Sequence, residues 1–270
     1  MKQKTIKEKV TLSGVGLHSG AQCKLIFHPA KENHGLAFSV SGNLVPARTE
    51  YVHSTVRGTV LKKDGQLILL TEHLLAAGYA LGISNLLIEM TTSEPPATDG
   101  SALPFILALQ SGKIVEQRAI AEEIILKKQI EVSAEARQIV ALPHHGLKIA
   151  FGIDFKFVGA QQYELEITEE SFIAEIAPAR TFGYVEELDT LKKQDLARGA
   201  SEENALAIGP GGYINSPRFA DEMVRHKILD LVGDLALLGR RINAEFRCEM
   251  SGHALNFEIG KKLLTNKAPG

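Results

Sequence analysis

A chain of 270 residues, 44% hydrophobic and 23% charged, has room for one large domain or two of ordinary size, with ample core. Its formal net charge of −2 lacks the basic footprint of a nucleic-acid binder, and two cysteines, Cys23 and Cys248, suit a reducing compartment better than a disulfide scaffold. No apolar run approaches the roughly 20 residues that span a bilayer, and lysine-rich Met1–Val10 lacks a signal peptide's apolar core, so the expectation is a cytoplasmic protein.

Strands are expected at Thr5–Leu12, Gln22–His28 and Leu36–Ser39, punctuated by Gly14, Gly16 and Gly20. A short strand at Leu67–Leu70 leads into Thr71–Leu81, which is apolar on nearly every side and reads as a buried helix. Asn85–Met90 is a further strand, and a turn through Pro95, Pro96, Asp99 and Gly100 precedes a helix at Leu103–Ser111. Charge rises and apolar periodicity lapses over Gly112–Glu122, which suggests a boundary. Beyond it come strands at Ile124–Ile130, Ile139–Leu142, Leu147–Asp154 and Gln162–Ile167. Helices follow at Ser171–Ala177, Tyr184–Lys193 and Asp221–Leu238, then strands at Ala244–Arg247 and Ala254–Phe257 and a helical tail from Ile259. No short-period repeat is visible. Each half thus holds a run of strands and an unusually apolar helix. The expected fold is α+β: two similar domains, 1–117 and 118–270, each a sheet plus helices, with the helices layered between the sheets.

The segment Arg225-His226-Lys227-Ile228-Leu229-Asp230-Leu231-Val232-Gly233-Asp234 carries the densest chemistry. His226, Asp230 and Asp234 are four apart and form one polar row on a helix. Leu229, Val232, Leu235 and Leu238 surround that row with apolar surface. A buried carboxylate requires cations, hydrogen bonds or a metal. A catalytic zinc takes three protein ligands and keeps an open position, and His73, His226, Asp230 and His253 are the candidates. Glu72, beside His73 at a helix start, could take a proton from a water that a metal has acidified. Spacing alone does not choose between such a site and an ordinary surface pair, and His18, His28, His34, His53, His144 and His145 compete.

The string Arg225-His226-Lys227-x-x-Asp230-x-x-Gly233-Asp234-Leu235 resembles the signature of the UDP-3-O-acyl-N-acetylglucosamine deacetylases, zinc enzymes of the committed step of lipid A biosynthesis. Five more motifs fall in the same order. They are Gly14-Val15-Gly16-Leu17-His18-Ser19-Gly20, Glu72-His73-Leu74-Leu75-Ala76-Ala77 and Asp99-Gly100-Ser101-Ala102-x-Pro104-Phe105, then Ala179-Arg180-Thr181-Phe182-Gly183 and Ser251-Gly252-His253-Ala254-Leu255-Asn256. The resemblance covers about Lys4 to Lys262. It implies one Zn2+ per chain on His73, His226 and Asp230, with Glu72 as general base and His253 as the protonated partner that Asp234 orients. Lys227 and Thr181 would face the developing oxyanion. Phe182 would open an acyl-chain tunnel, and His18 and His53 would lie near the nucleotide or sugar. The implied partner is the acylated UDP-sugar substrate, with no nucleic acid, no transmembrane segment and a monomeric protein.

The sequence departs from the family pattern at Gly199-Ala200-Ser201, at Asp154–Gly159, at Leu70-Thr71 and at Pro96-Ala97-Thr98. None of these touches the implied ligands, so the departures bear on substrate detail. The competing readings are a zinc amidohydrolase for another N-acetylated sugar and a metal-retaining binding protein without catalysis. A structural zinc protein fits worst, because neither cysteine lies in a paired motif.

Overall fold

The structure, a computed structural model, describes residues 1–265. Residues 266–270 of the expected C-terminal domain lie outside the described residues. Alternation of apolar and polar residues builds the strands. In the strand Arg241–Glu249, Ile242, Ala244, Phe246 and Cys248 are buried, while the residues between them point away from the core.

The first half runs through β1 (Lys2–Ile6), β2 (Val10–Val15), β3 (Gln22–Pro29), β4 (Leu36–Val40) and β5 (Asn43–Pro46). Three short strands follow, β6 (Val52–Ser54), β7 (Val60–Lys63) and β8 (Gln66–Ile68). Helix α1 (Glu72–Ala80), strand β9 (Leu86–Met90) and helix α2 (Leu103–Ser111) complete it. The chain continues through β10 (Ile114–Ile120), β11 (Glu123–Ile125), β12 (Ile130–Ala134), β13 (Arg137–Leu142), β14 (Leu147–Phe155) and β15 (Gly159–Glu166). A short α3 (Glu169–Ser171) passes into a π-helical turn (Phe172–Ile176). Then come β16 (Phe182–Tyr184), α4 (Leu188–Lys193), β17 (Leu206–Gly209) and β18 (Gly212–Tyr213). Helix α5 (Glu222–Ala236), strand β19 (Arg241–Glu249) and helix α6 (His253–Thr265) close the described chain.

The two main sheets follow one plan. Their strand orders are β2-β3-β9-β4-β5 and β12-β13-β19-β14-β15. In each, two hairpins flank a central strand that comes last in sequence, antiparallel to one hairpin and parallel to the other. A helix precedes each central strand (α1, α5) and another follows it (α2, α6). A small three-stranded sheet is inserted at the same point in each half, β6-β7-β8 and β16-β17-β18. The α+β class and the two similar halves are as expected, and the repeat lies in topology rather than in residues.

Several elements differ from the sequence expectation. Ala254–Phe257 is the start of α6, not a strand. Leu255, Ile259 and Leu263 are buried at a spacing of four, a helical stripe that the short apolar run conceals. Thr5–Leu12 is split between β1 and β2. The stretch Ile124–Ile130 divides between β11, parallel to β19, and β12, because Lys127-Lys128-Gln129 interrupts it. Tyr184–Lys193 holds the end of a strand, a 3-10 turn and only six residues of α-helix. Residues 114–120, expected to be a lapse in periodicity, form β10, which pairs antiparallel with β1.

Helices α1 and α5 pack against each other and join the two halves. Gly233 makes the close crossing possible, since a Cβ there would stand 2.1 Å from the backbone oxygen of Glu72. Any side chain would push apart the helices on which the functional residues sit.

Candidate metal centre

At this crossing the first turn of α1 meets the middle of α5. Glu72 and His73 are the first two residues of α1, and His226 and Asp230 lie one turn apart on α5. His226 Nε2 is 3.4 Å and His73 Nε2 3.7 Å from Asp230 Oδ1, and the two imidazole rings meet edge to face at 4.9 Å. One donor atom from each of the three lies within 4.8 Å of the others, so these residues could hold a metal ion.

The donor set fits such an ion chemically. His226 Nδ1 is 3.1 Å from the Ala179 carbonyl oxygen, which fixes its proton there and leaves Nε2 free to ligate. Burial pushes the His226 pKa down to about 4, so the imidazole is neutral. Burial alone would raise the Asp230 pKa, but Lys227, His226 and His253 outweigh it and hold the carboxyl well below its usual range. Lys227 Nζ donates to Asp230 Oδ2 at 2.5 Å. Two imidazoles and one carboxylate, with no fourth residue in the group among the described residues, match a catalytic rather than a structural set.

A second constellation adjoins the first. His253, at the start of α6, places Nε2 4.0 Å from Glu72 Oε1 and 3.8 Å from Asp230 Oδ2. Its Nδ1 donates to Asp234 Oδ2 at 2.8 Å, and Asn256 Nδ2 donates to the same oxygen at 2.8 Å. The Thr59 hydroxyl donates to Asp234 Oδ1 at 2.5 Å. Burial opposes a charge on His253, but Asp234, Asp230 and Glu72 outweigh it and push its pKa up to about 9. Burial raises the Glu72 pKa, and Glu72 Oε2 accepts a hydrogen bond from the Thr59 N–H at 3.1 Å.

The group opens into a cleft of about 610 Å³. Glu72, His73, Thr181, Lys227, Asp230 and His253 line it, and Phe182, Leu188, Leu191 and Ile214 supply apolar lining. The Phe182 ring lies 5.8 Å from the His226 ring. His18 also lines the cleft, and burial lowers its pKa. Its loop is held by Glu94, which accepts from the His18 and Ser19 N–H groups at 2.7 and 2.8 Å. His53 sits exposed on β6 and is not among the residues lining the cleft.

Three contacts escaped the sequence reading. Thr59 touches both Glu72 and Asp234, yet a threonine in the loop just before β7 gives no signal of its own. The Glu94 carboxylate that organises the His18 loop lies 76 residues away in sequence. Arg180 and Glu222 form a buried pair that fixes the Thr181 segment to the first turn of α5, with Arg180 Nε donating to Glu222 Oε1 at 2.9 Å. The motif containing Arg180 marked the first partner but not the second.

Comparison with known proteins decides the family. The UDP-3-O-acyl N-acetylglycosamine deacetylase family model matches residues 3–265. The chain belongs to this family. It is similar to the UDP-3-O-acyl-N-acetylglucosamine deacetylase of Coxiella burnetii (strain CbuK_Q154), at 38% identity over 99% of this chain and 92% of the relative. The protein of the same name from Chromohalobacter salexigens is 39% identical, over 99% of this chain and 91% of its own length. That from Myxococcus xanthus is 38% identical, over 98% and 87%. Among the described residues, no helix is long and apolar enough to cross a membrane.

Proposed function

We propose that this protein hydrolyses the acetamide of UDP-3-O-[(3R)-3-hydroxyacyl]-N-acetylglucosamine, releasing acetate and UDP-3-O-acyl-glucosamine in the committed step of lipid A biosynthesis. The observation that carries this reading is the Glu72–His253 pair, a carboxylate and an imidazole 4.0 Å apart, set against a two-histidine, one-carboxylate group that lines a largely apolar cleft. His73, His226 and Asp230 would hold one Zn2+ per chain. When bound, that ion supplies Lewis acidity toward the amide and acidifies water.

The chain's own residues carry the protons. Glu72 accepts a proton from the attacking water as its oxygen bonds to the amide carbon. Lys227 and Thr181 face the carbonyl oxygen as it gains negative charge. His253 donates a proton to the amide nitrogen as the C–N bond breaks, so the amine leaves neutral and acetate remains. Asp234 orients His253 and supports its positive charge. Phe182 and the apolar cleft take the acyl chain, and His18 and His53 lie toward the nucleotide or sugar. The reading also includes a cytoplasmic monomer that binds no nucleic acid, with domains at 1–117 and 118–270.

Activity is expected to rise with pH as Glu72 loses its proton, along a limb above that of an ordinary glutamate because burial raises its pKa. It falls as His253 deprotonates, at about 9 in the absence of an ion and lower beside a cation. Asp234→Asn removes the strongest charge favouring protonated His253, so the alkaline limb of kcat/KM should move down by about 1–3 pH units. An alkaline limb that stays in place would remove Asp234 from this role.

The direct test is acetate release by the purified protein from the acylated UDP-sugar, before and after chelation and with zinc restored. Turnover should vanish with the chelator and return with zinc. Absence of turnover from folded, zinc-loaded protein would favour a different N-acetylated sugar, with residues 154–159 and 199–201 as the first positions to examine.

A further inference from the structure

A second cavity, of about 230 Å³, lies where the C-terminal ends of α1 and α5 meet, away from the cleft. Its walls come from both halves: Arg48 and Tyr79 on one side, Glu122, Arg240 and Arg241 on the other. Arg48 is half-buried, and its guanidinium makes no hydrogen bond or ion pair to any described residue. Two glycines confine it. A Cβ on Gly239, which has φ +64, would stand 2.4 Å from Arg48 Nη1, and one on Gly35 would stand 3.3 Å from Nη2. Arg48 is thus held by backbone shape rather than by a counter-charge.

The surrounding charges make the cavity cationic. Arg241 is anchored, with Nη1 donating to the Tyr79 carbonyl at 2.6 Å and its guanidinium 4.7 Å from the centre of the Tyr79 ring. Arg240 pairs at 2.6 Å with Glu122, whose side chain is largely exposed. Lys4 Nζ would lie 3.7 Å from a Cβ on Gly82, another wall residue, and it has no ion-pair partner among the described residues. Four cations therefore face or flank the cavity against one lining carboxylate, Glu122. Among the described residues, the Arg48 and Lys4 side chains and the Ser84 hydroxyl have no hydrogen-bond or ion-pair partner. A planar guanidinium with free N–H groups in a partly enclosed pocket is suited to bidentate pairing with a tetrahedral oxyanion. The volume is below the roughly 300 Å³ at which drug-sized ligand pockets begin, which favours a small anion.

We infer that this cavity is an anion site that takes a phosphate group through Arg48, with Lys4 and Arg240 assisting. Because Arg48 belongs to the first half and Arg240 to the second, an anion bound there ties together the two halves at the far end of the same helices that carry Glu72, His73, His226 and Asp230.

The test uses the metal-loaded, full-length protein titrated with inorganic phosphate against chloride at constant ionic strength, with thermal unfolding and calorimetric binding as readouts. The expected result is a saturable rise in Tm. In Arg48→Gln, half-saturation should move up by about tenfold or more while turnover without phosphate is unchanged. If Arg48→Gln fails to fold, Lys4→Gln and Arg240→Gln serve instead, and each should weaken phosphate about threefold. A phosphate response that does not saturate, or that superposes in the wild type and the variants, overturns the proposal. The latter result would place phosphate elsewhere, including in the catalytic cleft.

Discussion

Replacing Glu72 with Gln should lower kcat by about 10² to 10⁴, the range expected on losing a positioned general base. The amide keeps an oxygen that can accept from the Thr59 N–H, so the start of α1 should be undisturbed. Glu72 is not among the three residues assigned to the ion, so zinc content should match the wild type. Stability supplies a further check. The folded-state pKa of Glu72 is raised by burial, so its contribution to stability is fully present below the unfolded pKa and is lost as pH rises through the folded value. Where the carboxylate is ionised it therefore costs stability, and the neutral amide removes that cost. The expected variant binds zinc, melts at or above the wild-type temperature and does not turn over. If it releases acetate at the wild-type rate, Glu72 is not the base.

The largest effect on stability should come from Arg180→Ala. Glu222 is fully buried, and Arg180 beside it is nearly so. Burial alone would raise the Glu222 pKa, but hydrogen bonds from the Arg180 side chain and from the Arg180 and Arg218 N–H groups hold it low. Removing the guanidinium leaves a buried carboxylate with backbone donors only, a change that typically costs about 3–5 kcal/mol. Denaturant unfolding at neutral pH should show a midpoint shift of that size, and Arg180→Ala/Glu222→Ala should recover part of it. A loss below about 1 kcal/mol would mean the pair is not what pins the Thr181 segment.

Much of the fold was legible wherever one residue period governed an element. Leu103–Ser111 matched in full, and α1 and α5 matched to within a residue or two, because their apolar residues run over several turns. The misses fall on short runs. Ala254–Phe257 is too brief to separate a strand from a helix, and the small inserted sheets are built of strands of two to four residues. The candidate site divides in the same way. His226, Asp230 and Asp234 could be placed on one helix face from spacing alone. Bringing His73 to them across more than 150 positions needed the resemblance, since no local pattern encodes a helix–helix crossing. Thr59 and Glu222 remained unseen, because their roles exist only once distant segments meet.

The duplicated topology has a consequence for the chemistry. In a symmetric dimer of two identical chains, equivalent helices crossing at the interface must present the same side chains to each other, so any reactive group arrives in duplicate. Here the corresponding helices of two like-built halves meet within one polypeptide, and each is free to differ. One brings a glutamate and a histidine from its first turn, and the other brings a histidine, a lysine and two aspartates spread along its length. Near-symmetric architecture thereby supports a polar, one-sided centre, in which Glu72 and His73 stand on one partner of the crossing, His226 and Asp230 on the other, and His253 arrives from α6.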